Sequence, residues 1–397
     1  MRSMSRQVCA AVALTAALAM GTTACGPEDD NAGGQPSESA TAATTGGSGA
    51  GGFTIPKGLQ DKLKQHGIDL DKWKNGEWKN WDKDQWMREA GEFLNPIIKG
   101  LWDPDRAGKA KPEQPSTPAQ PPADQGQTDP EPAPVRATAI TAPYSQSAPG
   151  LGRLLFDTPE GQAACSAAVV KDPAHPGKSN LVWTAGHCVH AGKSGGWYRN
   201  MIFAPSFNDA GKLTEDQVNS APRDQVFPKG VWWADDAATT NQWISDGGEQ
   251  NNGVPMAPYD FAIIHVKPEK GTTKSLEEVA GGAYDIDFNT PSMSSVGDIT
   301  AQGYPAAAPF DGSKAEQCVD GPGRLTLDQN DPTMYRIGCT MTPGSSGGPW
   351  FETKGGVKKI VSNTSIGPSP STWLAGPHLG AQAQKMYQTM SKAHAAG

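Results

Sequence analysis

Three short segments of the chain hold the residue types that nucleophilic catalysis needs. Trp183-Thr184-Ala185-Gly186-His187-Cys188 leads from a strand-like stretch into a tight turn that carries a histidine. Tyr259-Asp260-Phe261-Ala262-Ile263-Ile264 opens a hydrophobic run with an aspartate. Thr342-Pro343-Gly344-Ser345-Ser346-Gly347-Gly348-Pro349-Trp350 sets a serine among glycines. A hydroxyl is a poor nucleophile near neutral pH. It becomes a good one when an imidazole takes its proton and a carboxylate orients that imidazole. His187, Asp260 and Ser346, in that chain order, are therefore a candidate set for acyl transfer.

Each of these residues has a plainer reading. His187 could be a structural histidine beside Cys188, and Asp260 a strand-start residue satisfying backbone donors. Asp235, Asp236, Asp285 and Asp287 are rival carboxylates in less apolar settings. Ser345 is the rival nucleophile, but the Gly-x-Ser-Gly-Gly frame selects Ser346. The other six histidines (66, 175, 190, 265, 378 and 394) lack metal-ligand spacing, so no metal and no organic cofactor is expected.

Taken together, the three segments resemble those of chymotrypsin-fold (trypsin-like) serine proteases, in the same order. Gly303-Tyr304-Pro305, upstream of the serine, is similar to the bacterial branch around the glutamyl endopeptidases. The resemblance covers roughly residues 150–397. It implies Ser346 as nucleophile, His187 as general base and then acid, Asp260 as the orienting carboxylate, and the backbone N–H groups of Gly344 and Ser346 as the oxyanion hole. It also implies two β-barrels with these residues in the cleft between them. Thr340, six residues before the nucleophile, falls at the base of the expected pocket. It carries no charge, where Arg- or Lys-preferring relatives have Asp. Glutamate-preferring relatives have His just before the serine of the pocket-wall strand; with Ser362 taken as that serine, Val361 stands there. The expectation is a neutral pocket lined by Thr340 and Ser362. Trypsin-like zymogens have an Asp before the nucleophile that pairs with a newly cut N-terminus. This chain has Ser345, so that ion pair is not expected.

Of six cysteines, Cys9 lies in an apparent leader and Cys25 at its exit, leaving Cys165, Cys188, Cys318 and Cys339. Four cysteines in an exported chain favour disulfides, with three connectivities open. The family resemblance selects a bridge across the histidine turn, Cys165–Cys188, which leaves Cys318–Cys339.

The elements that must position these residues come next. Residues 1–24 carry Arg2, Arg6 and a short apolar run, Val8 to Met20, as a signal peptide does. Thr22-Thr23-Ala24-Cys25 is similar to a bacterial lipoprotein cleavage site, with Cys25 the lipidation candidate; Thr22 replaces the usual large aliphatic residue, and ordinary cleavage is the alternative. Residues 25–52 read as a flexible Gly/Ser-rich tether. Residues 53–106 hold Trp73, Trp78, Trp81, Trp86 and Trp102. Trp86, Ala90, Phe93, Leu94 and Ile97 recur at helical spacing after Asp82, predicting a small helical module whose helix Pro96 should kink or end. This module reads as a pro-region, a binding module for cell-wall glycans or protein, or a miniature core. Residues 107–143 read as a Pro-rich spacer.

Residues 144–397 are expected to be the serine protease domain, with barrel 1 about 144–270 and barrel 2 about 271–397. Short runs at Ala167–Val170, Leu181–Thr184, Phe261–Val266, Ile299–Gly303 and Ile360–Ser362 alternate with turn residues, which predicts an all-β fold. Leu379, Ala383, Met386 and Met390 predict a C-terminal helix.

The net charge of −8 opposes nucleic-acid binding. No apolar stretch is long enough for a polytopic membrane protein. The expected protein is a secreted or surface-tethered monomeric serine endopeptidase acting on proteins or peptides, with cell-wall or membrane-surface association through its N-terminal region. A non-catalytic surface-binding protein on the same fold is the alternative, and the complete residue set disfavours it. An esterase of the α/β-hydrolase type is disfavoured by the chain order.

Overall fold

The structure, a computed structural model, describes residues 69–82, 93–113, 128–248, 254–289 and 295–396. The leader, Cys25, the tether, His66, Trp86 and the prolines of 115–122 lie outside them. Among the described residues no helix is long and apolar enough to cross a membrane.

Two short strands precede the main body: β1, Lys111–Pro112, and β2, Thr138–Ala139. The next six are β3 (Leu151–Thr158), β4 (Gly161–Val170), β5 (Leu181–Thr184), β6 (Arg199–Pro205), β7 (Trp232–Thr239) and β8 (Ala262–Pro268). They pair in the order β4-β3-β6-β7-β8-β5, and β5 pairs back onto β4, so the barrel closes. Period-two alternation sorts their side chains onto two faces. Leu154, Phe156, Cys165, Val169, Met201, Phe203, Trp232 and Ile264 fill the interior. Leu155, Ala164, Ile202, Ala204 and Trp233 point outward into a second core. With both faces covered, the strands read as nearly continuous apolar runs.

The second half contains β9 (Asp285–Ile286), β10 (Ile299–Gly303), β11 (Glu316–Asp320), β12 (Gly323–Leu325), β13 (Met334–Gly338), β14 (Pro349–Lys354), β15 (Val357–Asn363) and β16 (Trp373–Gly376). One sheet runs β2-β11-β10-β14-β15-β9 and another β12-β13-β16. Ile299, Ala301, Tyr335, Ile337, Trp350, Val361 and Leu374 from both sheets enclose one core. Between the barrels, Trp183, Phe261 and Ile263 pack against Phe351 and Ile360. The C-terminal helix, Ala381–Ala393, seals that seam with Ala383 and Met390. The all-β, two-barrel architecture and the terminal helix are those expected.

The N-terminal part departs from expectation. Most of the helix predicted after Asp82 falls on 83–92, outside the described residues; 93–98, which hold Phe93, Leu94 and Ile97, are non-helical. The reason is Asn95. Its side-chain amide donates to the carbonyls of Met201 and Ala234, both at 2.8 Å, and its oxygen accepts from Met201 N at 2.9 Å. β6 and β7 are paired only through Ile202–Trp233 and Phe203–Trp232. Asn95 extends that ladder by one step, and an extended backbone is needed to deliver it.

Ile97, Trp102, Ala107 and Ala110 then cover the outer core of barrel 1. Trp102 is 0% exposed and donates from Nε1 to Asn200 O at 2.6 Å. Trp73 and Trp78 are buried too. Arg199 lies over the rings of Trp73 and Trp81, 4.9 and 4.2 Å from their centroids, and Arg106 lies between Trp78 and Trp102. Turned inward onto arginines, these tryptophans are core residues rather than an exposed glycan platform. The expected spacer is not a spacer where it is described. Lys111–Pro112 adds to β4 in parallel, and Thr138–Ala139 adds to β11. The boundary expected at 143/144 therefore does not separate structural units.

Candidate active site

β5 delivers its chain into the short 3-10 turn Gly186–Cys188, which carries His187. The turn is pinned by the Cys165–Cys188 disulfide, while Cys318–Cys339 braces barrel 2. Gly186 is required by closeness: a Cβ there would lie 2.6 Å from Thr239 Oγ1 and 3.0 Å from Asp260 Oδ1. Asp260, fully buried, immediately precedes Phe261 and β8. Its Oδ2 accepts from His187 Nδ1 at 2.7 Å and its Oδ1 from His187 N at 2.8 Å. A third donor is Ser365 Oγ, 2.5 Å from Oδ2. A carboxylate only accepts, so it keeps the proton on Nδ1 and leaves the Nε2 lone pair free.

Among the described residues, His187 Nε2 and Ser346 Oγ are both buried without a hydrogen-bond partner. The segments that carry them adjoin. Ser346 O accepts from Ser166 N at 2.7 Å, and a Cβ on Gly347 would lie 2.1 Å from Thr184 Oγ1 and 2.9 Å from Ala185 N. The structure thus brings together the histidine, aspartate and serine segments that lie far apart in sequence.

Gly344 has φ +100°, where a side chain would be strained, and a Cβ would stand 2.8 Å from Ala306 N and Tyr304 O. Ser166 Oγ ties this loop down, donating to Gly344 O and accepting from Tyr304 N, both at 2.8 Å. The N–H groups of Gly344 and Ser346 have no backbone acceptor among the described residues. Ser345 is buried and donates its hydroxyl to Thr342 O at 2.9 Å.

Ser362 is not where it was expected. It is fully buried on β15, and its hydroxyl donates to Pro377 O at 2.8 Å. Side chains alternate along an extended chain, so Asn363 and Ser365 face Asp260 while Ser362 faces away. Asn363 Nδ2 donates to Asp260 O at 3.0 Å, and its Oδ1 accepts from Trp183 Nε1 at 3.1 Å. The serine beside the carboxylate is Ser365, and the residue before it is Thr364, whose Oγ1 accepts from Trp350 Nε1. Sequence reading missed Ser365, Asn363 and Ser166. The signal was present as Ser362-Asn363-Thr364-Ser365, but two serines three apart leave the register open. Thr340 is partly exposed, and its Oγ1 accepts from Ala137 N at 2.9 Å.

Among the described residues, two clusters carry metal-ligating atom types. Cys165, His187 and Cys188 are near one another, but both sulfurs are in the disulfide and offer no thiolate. His265 and His394 stack with ring centroids 3.7 Å apart and planes 4° from parallel. His265 binds Asp235 at 2.5 Å, and His394 binds Asp236 at 3.0 Å. A metal lies in the plane of each imidazole that ligates it, and two stacked planes share no such point. Lys267 also holds Asp235 at 2.8 Å. This cluster clamps the end of the C-terminal helix onto β7 and β8.

No protein-family model matches the chain, and no curated protein matches it. Solved structures similar to it include a thermostable serine protease from an extremophilic microorganism, at 29% identity over 62% of this chain and 98% of that one, TM-score 0.49. The protease Anisep from Arthrobacter nicotinovorans has 25% identity over 64% and 99%, TM-score 0.49. A Glu endopeptidase has 15% identity over 67% and 100%, TM-score 0.46. A closed six-strand barrel, a second barrel built from two sheets around one core, and a sealing C-terminal helix give this chain a chymotrypsin-like fold.

Proposed function

We propose that the chain is an exported serine endopeptidase that hydrolyses peptide bonds through an acyl-enzyme. The observation that carries this is the buried Asp260–His187 pair, which leaves Nε2 without a partner, on a segment packed against the one that carries the equally unpartnered Ser346 hydroxyl. His187 Nε2 takes the Ser346 proton as Oγ attacks the scissile carbonyl, and the Gly344 and Ser346 N–H groups bind the resulting oxyanion. Imidazolium, held by Asp260, then protonates the leaving amine, whose departure leaves the acyl-enzyme. A water molecule repeats the sequence in reverse: it gives its proton to Nε2 and attacks the ester, and Ser346 recovers its proton as the acid product leaves. Each oxyanion donor contributes about 3 kcal/mol to transition-state stabilisation.

The disulfides support export to an oxidising compartment, because they persist poorly where thiols are kept reduced. Cleavage of the leader near Ala24, with lipidation of Cys25, belongs to this reading. The pocket is assigned an uncharged side chain: Thr340 carries no charge, and Thr364 stands where a glutamate-reading histidine would. A peptide library digested by the wild type and by Ser346→Ala tests the reading. The variant should lose about a million-fold in kcat. Unchanged cleavage by Ser346→Ala would overturn the assignment, and the wild-type profile reads the pocket directly.

A further inference from the structure

The segment ahead of barrel 1 crosses barrel 2 before it reaches Tyr144. At its start, Asp129 N donates to Arg324 O at 3.1 Å, and the Asp129 carboxylate takes Arg324 N at 2.7 Å together with the Arg324 guanidinium. Arg336 donates to Asp129 O. Thr128 and Thr326 exchange hydrogen bonds, and Glu131 accepts from Thr372 Oγ1 at 3.2 Å. The chain then presses on β13 so closely that a Cβ at Gly338 would lie 2.0 Å from Ala133 O. Next it meets Thr340 from both sides. Thr340 N donates to Val135 O at 2.9 Å, and Thr340 Oγ1 accepts from Ala137 N at 2.9 Å. Thr138–Ala139 joins β11, and Ile140 N donates to Ala315 O at 2.9 Å.

Thr340 follows Cys339, whose disulfide fixes one end of the segment that feeds Ser346. Its other restraints come from Val135 and Ala137. We propose that residues 128–141 form a strap that positions Thr340 and the segment from Thr340 to Ser346, so that the chain ahead of barrel 1 organises the substrate pocket. This rests on the peptidase reading given above. A trypsin-like enzyme organises this region with a charged N-terminus freed by cleavage. Here Ser345 offers that charge no partner, and the chain upstream of Val135 continues in place with Asp129 anchored. Ala137 acts on substrate only through Thr340, which it holds, and that makes Ala137 a positioning residue.

The test is a double-mutant cycle in the full chain. Thr340→Val removes the acceptor and keeps the shape, Ala137→Pro removes the donor, and Thr340→Ser restores the hydroxyl. Each of the first two should lower kcat/KM about fivefold, chiefly through KM, with the double variant no worse and Thr340→Ser near wild type. Hydrogen exchange should quicken over 340–346 in both single variants and stay unchanged in barrel 1. Additive losses, or a neutral Ala137→Pro beside an impaired Thr340→Val, would overturn the strap. If Ala137→Pro does not fold, the exchange contrast between Thr340→Val and Thr340→Ser decides the matter, and equal exchange rejects the proposal. A wild type without peptidase activity refutes the function instead, and the exchange measurement still judges the strap.

Discussion

At the scale of single residues, Asp260 does most of the organising. It is buried with three donors on its side chain, so its charge is compensated and His187 is held in one tautomer. Replacing it by Asn removes the acceptor that fixes Nδ1–H. Steady-state kinetics of Asp260→Asn should show kcat down about ten-thousand-fold with KM little changed. Ser365→Ala leaves two donors in place and should cost about tenfold. An equal loss in both would show that Ser365 does more than share the carboxylate.

His190 is a different kind of residue. Burial holds its imidazole neutral, with its pKa pushed down to about 4. Nδ1 accepts from Gly192 N at 2.9 Å, so the ring proton sits on Nε2. The unfolded chain takes up a proton near pH 6.5, whereas the folded chain resists until about 4. The contribution of His190 to stability is therefore complete above pH 6.5 and shrinks as pH falls toward 4. The loss amounts to about 3 kcal/mol across that window. Denaturant unfolding of His190→Asn at pH 7 and pH 4 should show a pH dependence smaller by about that amount. An unchanged slope would mean that the acid sensitivity originates elsewhere.

At the scale of elements, the N-terminal segment and the strands it covers depend on each other. The outward faces of β3, β6 and β7 carry Leu155, Ile202 and Trp233, which would meet water if Ile97, Trp102 and Ala107 were absent. Arg106 reaches the carboxyl of Asp157, which Asn200 Nδ2 also holds at 2.7 Å; burial nonetheless pushes that carboxyl up. The segment is thus bound by apolar area and by a buried polar junction together. Trp102→Ala removes a fully buried ring and the Nε1 bond to Asn200 O. It should destabilise the protein by about 4 kcal/mol, read in thermal unfolding as a fall in Tm of about 10 °C. A shift within a degree or two would mean that the segment is a detachable cover.

At the scale of the molecule, the chain before Tyr144 touches both barrels: β1 extends the sheet of the first, and β2 that of the second. The histidine, aspartate and serine segments lie where the barrels meet, and the C-terminal helix closes their seam. Local residue types were enough to determine the histidine turn, the aspartate, the glycine-framed serine, the strand runs and the amphipathic helix. Those features depend on periodicity and on neighbours within a few positions, which a sequence displays directly. Tertiary structure alone decided that Ser365 rather than Ser362 faces Asp260, since one residue of register turns a strand's side chains to the other face. It also decided that the described parts of the Trp-rich and Pro-rich segments pack on the barrels. Asn95 completes a ladder with residues more than 100 positions away, and Ala137 meets Thr340 across a separation of 203. Composition marks such stretches as loose because their partners lie so far along the chain, and only the folded barrels supply the surfaces that hold them.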